Sequence, residues 1–360
     1  MLSIQSLMSQ NPYENEPGFE NYKKDDPMPK AYISKITHET LRIAVIQRLE
    51  GLLDIEDGKV PSIFARIRDK TETVTNKPIE PTEAKSINGH AIDGWSTPDT
   101  EDDVHEYDAE ATFSALDNGV WDPFADLMKR RFLWYYDTYA KTIENAGKEQ
   151  PDGQAFTMTE FEGGQNSMPG KYGYKGLAER LRAIAKALED ERKSWEKLGA
   201  QLVTQDSSLA VQLAFQFKQL QHKWTAGSRM ELSLPGPKNP FVWNLTLFGK
   251  PMTNLDGGIF NMTLSIPPNF PDIQPRVKVE TPIFHHRVAS SGILCYFPQK
   301  EDEIASHLEA IVVALEDENP NYDPRAVVNP GAFALYWGGA EKRKFYNRRL
   351  RRSAQESSEG

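Results

Sequence analysis

The sequence of 360 residues contains one cysteine, Cys295, and no long apolar run. A single thiol excludes a disulfide within the chain, which is typical of proteins in reducing compartments. We therefore expect a cytoplasmic or nuclear location. No stretch has the length of apolar sequence that a membrane span needs, and residues 1–17 lack the basic region and cleavage site of a signal peptide.

The chain also lacks a positive charge balance, because 52 acidic residues face 42 lysines and arginines, for a formal net charge of −10. This balance makes nucleic acid an unlikely main partner. Residues 101–110 hold six acidic residues and no lysine or arginine. They belong to an acidic insertion, residues 68–118, which we predict to be disordered because it buries too little apolar surface. A plain linker and an acidic docking segment are both open.

Helical periodicity marks residues 1–66 and 119–200, with helices predicted over about 31–53 and 176–199. One apolar stripe steps by three or four residues through Phe124, Met128, Phe132, Tyr135, Tyr139 and Ile143. A stripe at this spacing is typical of a face packed on a core, so we favour packing over an aromatic binding surface.

The hydrophobic period changes to 2 after a helix predicted to begin at Asp206 or Ser207. Four alternating segments, MELSL, FVWNLTLFG, GIFNMTLSI and RVKVE, predict an antiparallel meander with one polar face. A proline-rich crossing follows, and then helices over about 302–316 and 331–352 and a disordered tail, residues 353–360. The order predicts an α+β fold. The last helix carries EKRKFYNRRLRR, for which a solvated basic face is favoured over nucleic-acid or membrane binding.

Residue chemistry alone leaves the role of Cys295 open. A free cysteine is among the most buried residue types, whereas a nucleophilic cysteine needs an accessible thiolate. Positive charge from His285, His286 and Arg287 would favour the thiolate if their loop folds back toward Cys295. Two adjacent histidines and one cysteine do not supply a four-ligand spacing, so we predict no metal site.

The order of elements resembles the core of the ubiquitin-conjugating enzyme family over residues 207–352. Gly257 and Gly258 match the Gly-Gly-aromatic opening of the third strand, and FPDIQP and DENPNYDP match two further family stretches. HHR stands where the family has HPN, and Arg287 lies eight residues before Cys295, which is the family's spacing. The resemblance implies the ubiquitin-conjugating (UBC) fold, a four-stranded antiparallel meander with flanking helices.

The resemblance implies an enzyme that accepts ubiquitin, or a ubiquitin-like protein, as a thioester on Cys295 and transfers it to lysine. It implies an activating enzyme and a ligase as partners and no cofactor. Arg287 takes the position of the family's oxyanion-stabilising Asn, Asp323 that of the acidic residue which orients the incoming lysine, and His285 supports the loop. From the residues alone, His285 is also consistent with an ordinary loop histidine and Asp323 with a turn residue.

Two departures from the family favour an alternative. Arg287 replaces the Asn, and the stretch after Cys295, PQKEDEIASHLEA, has no Trp-Ser-Pro-like sequence. The alternative is a non-catalytic UBC variant, a scaffold that binds ubiquitin, a ligase or a partner conjugating domain. A third, weaker interpretation is an acidic-linker adaptor whose helical half binds a partner.

A second resemblance covers residues 1–192. LSIQSLM, NPYENEPGFE, HETLRIAV, FLWYYDTYAK and GYKGLAERL are similar to the C-terminal helices of the long ubiquitin-conjugating enzyme that the alternative activating enzyme charges. The resemblance implies that residues 1–66 and 119–200 are the back half of a UBC domain. We expect the chain to be part of a longer tandem protein whose gene model is truncated.

Overall fold

The computed structural model describes residues 11–55, 122–163, 168–205, 207–225, 229–236, 239–320, 322–323 and 327–359. The predicted segment LSIQSLM and the acidic insertion 68–118 lie outside these ranges. The described residues up to Ile55 and from Phe124 onward belong to one compact unit. No helix among the described residues combines the length and apolar character that crossing a membrane requires.

The helical half, which comprises the described residues within 11–204, is built from helices around one apolar core. These elements are α1 (Pro27–Glu39), a π-helical stretch (Thr40–Gln47), α2 (Arg48–Leu52), α3 (Ala125–Glu149) and α4 (Tyr174–Thr204). The helix predicted over 31–53 is confirmed with an earlier start, and the helix predicted over 176–199 is confirmed with longer ends. In the predicted stripe of α3, Phe132 and Ile143 are buried in this core, whereas Phe124 is exposed.

The sheet half comprises the described residues within 207–359 and begins with α5 (Ser208–Thr225), which starts directly after Ser207 as predicted. The four strands are β1 (Met230–Ser233), β2 (Val242–Phe248), β3 (Ile259–Ser265) and β4 (Arg276–Val279). They pair antiparallel in the order β1-β2-β3-β4. In β3, Phe260, Met262 and Leu264 are buried while Asn261 is exposed. The predicted meander and the α+β fold are confirmed.

The elements after the sheet are α6 (Ile304–Glu316), α7 (Pro330–Tyr336) and α8 (Ala340–Glu359). The single helix predicted over 331–352 is wrong, because the chain leaves helical geometry at Gly338 and Gly339. Gly339 has a φ of +95°, a conformation that glycine adopts without strain.

The predicted disordered tail, residues 353–360, is also wrong, since α8 continues to Glu359. Its side chains satisfy backbone groups of the sheet half. The hydroxyl of Ser353 accepts a hydrogen bond from the Phe284 backbone N–H at 3.0 Å, and that of Ser357 accepts one from Ile259 N–H at 2.9 Å. Ala354 between them is buried against the core. These contacts hold the end of α8 on the sheet.

The helical half and the sheet half pack directly on each other through α4. Gly199 lies against the ring of Phe241, which is fully buried. Nearby, the Arg192 guanidinium donates a hydrogen bond to the Ser265 hydroxyl at 3.0 Å. The guanidinium of Arg276 also lies over the indole of Trp195, 5.5 Å from the ring centre. The helical half therefore contacts the sheet half just before β2, at the end of β3 and at the start of β4.

Candidate active site around Cys295

Cys295 lies at the end of a small hairpin that begins at the HHR triplet. Its backbone N–H donates to the carbonyl oxygen of Arg287 at 2.9 Å. Gly292 forms the turn with a φ of +86°, and a Cβ there would collide with the carbonyl oxygen of Val279. The eight-residue spacing between Arg287 and Cys295 is thus the length of a hairpin that sets the two residues side by side.

The thiol of Cys295 has no exposed surface. Its cover forms a small apolar cluster that is separate from the cores of both halves. From the sheet half the cluster contains Ala289, Ile293 and Val328, and from α3 it contains Trp134, with Leu133 and Tyr135 packed against it. An element of the helical half therefore takes part in burying the candidate nucleophile, whereas the catalytic interpretation requires an accessible thiol.

Two carboxylates anchor α3 on either side of this cluster. Asp126 accepts a hydrogen bond from the Gln274 backbone N–H at 3.2 Å and forms an ion pair with the buried Arg276. Asp137 accepts from the Ser290 backbone N–H at 2.7 Å and from the Ser290 hydroxyl at 2.6 Å.

Between the two carboxylates, the ring of Trp134 meets that of Phe297 edge to face, with the centroids 5.4 Å apart. The sequence analysis missed Trp134, Asp126 and Asp137. Their partners lie about 150 residues away along the chain, so no local pattern marks them.

The two histidines of the triplet are buried and stack on each other, with ring centroids 4.5 Å apart. The Arg287 backbone N–H donates to Nδ1 of His285 at 3.1 Å. Nδ1 of His286 shares a hydrogen bond with the Tyr346 hydroxyl at 2.9 Å, and its ring stacks on Tyr336. His286 stands where the family has proline, and its side chain ties the loop to α7 and α8.

Burial, followed by the charge of Arg287, lowers the pKa of His286 to about 3. Burial, the neighbouring His286 and then Arg287 hold the pKa of His285 well below its usual range. Both rings are therefore neutral at pH 7. The expectation that they supply positive charge to Cys295 is wrong, and of the triplet only Arg287, which is half-buried, carries a permanent charge.

Tyr135 interacts electrostatically with both Cys295 and Asp323. Burial first, and then its interactions with Cys295 and, more weakly, with Asp323, raise the pKa of the Tyr135 phenol. Asp323 is half-buried. The hairpin thus brings the backbone of Arg287 to Cys295, while His285 contacts Arg287, and Asp323 lies in electrostatic reach of Tyr135. Among the described residues, no group of three histidine, cysteine or acidic side chains is arranged to hold a metal ion.

Comparison with known proteins supports a relationship of the sheet half to ubiquitin-conjugating enzymes. Residues 212–328 match the family model described as ubiquitin-conjugating enzyme. Ubiquitin-conjugating enzyme E2 7 of Triticum aestivum is 29% identical over 150 residues, which cover 38% of this chain and 86% of that protein.

Two proteins called ubiquitin-conjugating enzyme E2 Z are also similar. The protein from Xenopus tropicalis is 49% identical over 58 residues, or 16% of this chain, and the one from Danio rerio is 28% identical over 191 residues, or 53% of this chain. The matches span 18% and 36% of the lengths of these two proteins, respectively. With the four-stranded antiparallel sheet and its flanking helices, the family match shows that residues 212–328 lie in a ubiquitin-conjugating (UBC) domain, and the similarities to the E2 7 and E2 Z proteins support this family.

Proposed function

We propose that the chain acts as a ubiquitin-conjugating enzyme that carries ubiquitin, or a ubiquitin-like protein, as a thioester on Cys295. The observation that carries this proposal is the position of Cys295. The sole cysteine lies within the matched residues 212–328, at the end of the hairpin that starts eight residues earlier at Arg287. An activating enzyme and a ligase are the partners that this activity needs, and the single thiol is consistent with a cytoplasmic or nuclear location.

The proposed reaction has two acyl transfers. In the first, the Cys295 thiolate attacks the thioester carbonyl of ubiquitin on the activating enzyme, a new C–S bond forms and the thiolate of the activating enzyme leaves. In the second, a lysine amine attacks the carbonyl on Cys295, an amide bond forms, Cys295 leaves as thiolate and the amine loses a proton. No cofactor enters either step, since ATP is consumed in the earlier activation.

Three side chains are proposed to support the transfer. The Arg287 guanidinium lies at the position of the family's Asn, and as a charged donor it would stabilise the oxyanion that forms when lysine attacks. The Asp323 carboxylate would orient the incoming amine. His285 acts as a positioning residue, because its Nδ1 accepts the Arg287 backbone N–H and so fixes the start of the hairpin.

A second function is favoured by one observation, the complete burial of Cys295 under α3. A thiol that never becomes accessible cannot accept ubiquitin, and the replacement of the family's Asn by Arg287 is consistent with lost catalysis. In this alternative the domain is a non-catalytic scaffold that binds ubiquitin, a ligase or a partner conjugating domain.

A charging assay decides between the two functions, provided that it includes a variant in which the cover of Cys295 is reduced, such as Trp134→Ala. The chain and Cys295→Ser are incubated with ubiquitin, ATP and either the standard or the alternative activating enzyme, and the products are separated on a non-reducing gel. We expect an adduct that thiol reductant removes and that Cys295→Ser does not form. If neither activating enzyme gives such an adduct with the native chain or with the variant, the catalytic proposal is wrong and the scaffold is supported.

A further inference from the structure

Cys295 is buried in a cluster that is separate from the core of the sheet half and that includes a residue of the helical half. The sheet half has a large core of its own, and Cys295 is not part of it. The small buried cluster that contains Cys295 includes Ala289, Ile293 and Val328 of the sheet half and Trp134 of α3. The thiol is therefore buried at an interface between the two halves.

The helix α3 runs along this interface and is attached to the sheet half at two points. Asp126 and Asp137, its two anchoring residues, are eleven positions apart, which corresponds to about 16 Å along a helix. Trp134 lies between them, 5% exposed, above a thiol that is 0% exposed. Phe132 and Ile143 of the same helix are buried in the core of the helical half. The helix α3 therefore stays attached to that half when its contacts with the sheet half break.

This arrangement is incompatible with the first acyl transfer. A reacting carbonyl carbon has to approach the sulfur to about 3–3.5 Å before a bond can form. In the closed arrangement Cys295 has no exposed surface, and Trp134 of α3 belongs to the buried cluster that contains it. Neither ubiquitin nor a small reagent has a path to the sulfur.

We propose that α3 is an autoinhibitory cap on Cys295, and that the separation of Trp134 from the hairpin is required before the thiol can react. As a regulator of thioester formation, the cap rests on the proposed function. Two carboxylate anchors and one indole hold it, with Asp126 on Gln274 and Arg276 and Asp137 on Ser290. Arg130 of α3 also forms an ion pair with Glu301 at 3.7 Å. Polar anchors at both ends of a small apolar contact are typical of an interface that opens without unfolding either core.

The single cysteine makes the cap directly measurable. Ellman's reagent reports the reactivity of Cys295 alone, and the rate is compared between the native protein, Trp134→Ala, Asp137→Ala and the protein in denaturant. We expect slow labelling of the native protein and an increase of about tenfold or more for Trp134→Ala. Asp137→Ala removes one anchor without leaving a core cavity, and we expect a smaller increase in the same direction.

Two control variants separate loss of the cap from general loosening. Trp337→Ala removes a half-buried indole from the end of α7, and Lys141→Ala changes an exposed residue of α3. We expect both to label at the native rate, and circular dichroism confirms that each variant is folded. Native labelling as fast as in denaturant, or equal rates for the native protein and Trp134→Ala, would overturn the cap.

Parallel charging assays keep the cap and the proposed function apart. We expect Trp134→Ala to form the ubiquitin thioester faster than the native protein. If Trp134→Ala labels faster but no variant forms a thioester, the cap stands as a cover of the thiol and the catalytic proposal fails. If the native protein and Trp134→Ala charge at the same rate, the function stands and the cap is overturned.

Discussion

His285 and His286 show how much of a residue's chemistry depends on its surroundings. The sequence places them directly before Arg287, ten and nine residues from Cys295, and the backbone hydrogen bond between Cys295 and Arg287 shows that their loop folds back toward the cysteine. Their charge was not predictable, because the rings that bury His286 come from Tyr336 and Tyr346, 50 and 60 residues further along. Neutral, stacked rings hold the loop, where the sequence suggested a source of positive charge.

The low pKa of His286 makes stability depend on pH. In the folded protein the pKa is about 3, whereas in the unfolded chain it is about 6.5. Between these values the unfolded state binds the proton, so the free energy of unfolding falls as pH falls below about 6.5. We expect a loss of about 2 kcal/mol between pH 7 and pH 5 from this residue.

Urea unfolding at both pH values, with His286→Phe as reference, measures this contribution. Phenylalanine keeps the stacking on Tyr336 but does not titrate. We expect the free energy of unfolding of the variant to fall less between pH 7 and pH 5. Ion pairs elsewhere still titrate in the variant, but the contribution of His286 is absent. An equal loss in both proteins would show that His286 is not buried as a neutral ring.

The two faces of α3 show what periodicity can predict at the scale of an element. The apolar stripe correctly indicated that Phe132 and Ile143 face a core. It did not indicate that Trp134, on another side of the same helix, packs on Cys295, because a single aromatic and two aspartates form no repeating pattern. The strands of the meander were easier to predict, since their alternation and short connections are local signals.

The ion pair of Asp126 with Arg276 attaches α3 to the sheet half through a buried guanidinium. Arg276 is 6% exposed, so removal of its partner leaves a buried charge without compensation. We expect Asp126→Ala to lower the free energy of unfolding by about 3 kcal/mol in urea titrations.

The matched control for this variant is Glu144→Ala on the same helix, where Glu144 pairs with Lys148 on an exposed face. We expect no measurable change there, because water screens an exposed pair. Equal effects of the two substitutions would mean that the contact of α3 with β4 contributes nothing to stability.

For the whole molecule, the contact of α4 with the sheet decides whether the two halves behave as one body. The sequence divided the chain into a helical region and a sheet region with a boundary near residue 200, and gave no signal that α4 continues to Thr204 and packs on Phe241. Contacts between halves depend on shape complementarity over a large surface, for which a single sequence contains no periodic pattern. The glycine at position 199 is explained by the other half, because a Cβ there would meet the ring of Phe241.

Two glycines of α4 give a matched test of this contact. A Cβ at Gly199 would lie 2.5 Å from Cγ of Phe241, whereas a Cβ at Gly176 would meet nothing within 4 Å. We expect Gly199→Ala to destabilise the protein by about 1–3 kcal/mol through overpacking. Gly176→Ala in the exposed first turn should be neutral or add up to about 1 kcal/mol.

Thermal or urea unfolding of both variants compares the two sites under the same conditions. A stabilising effect of Gly199→Ala would show that the two halves do not touch at this position.

The cover over Cys295 also bears on how the protein meets oxidants. With one cysteine, the chain can form a disulfide only with another molecule. A sulfur with no exposed surface is shielded from peroxide and from foreign thiols, so we expect the closed protein to withstand oxidising conditions that would modify a free catalytic thiol. Separation of α3 from the hairpin would then expose Cys295 to oxidants as well as to ubiquitin. The rate at which a disulfide-linked dimer forms would report how often this separation occurs.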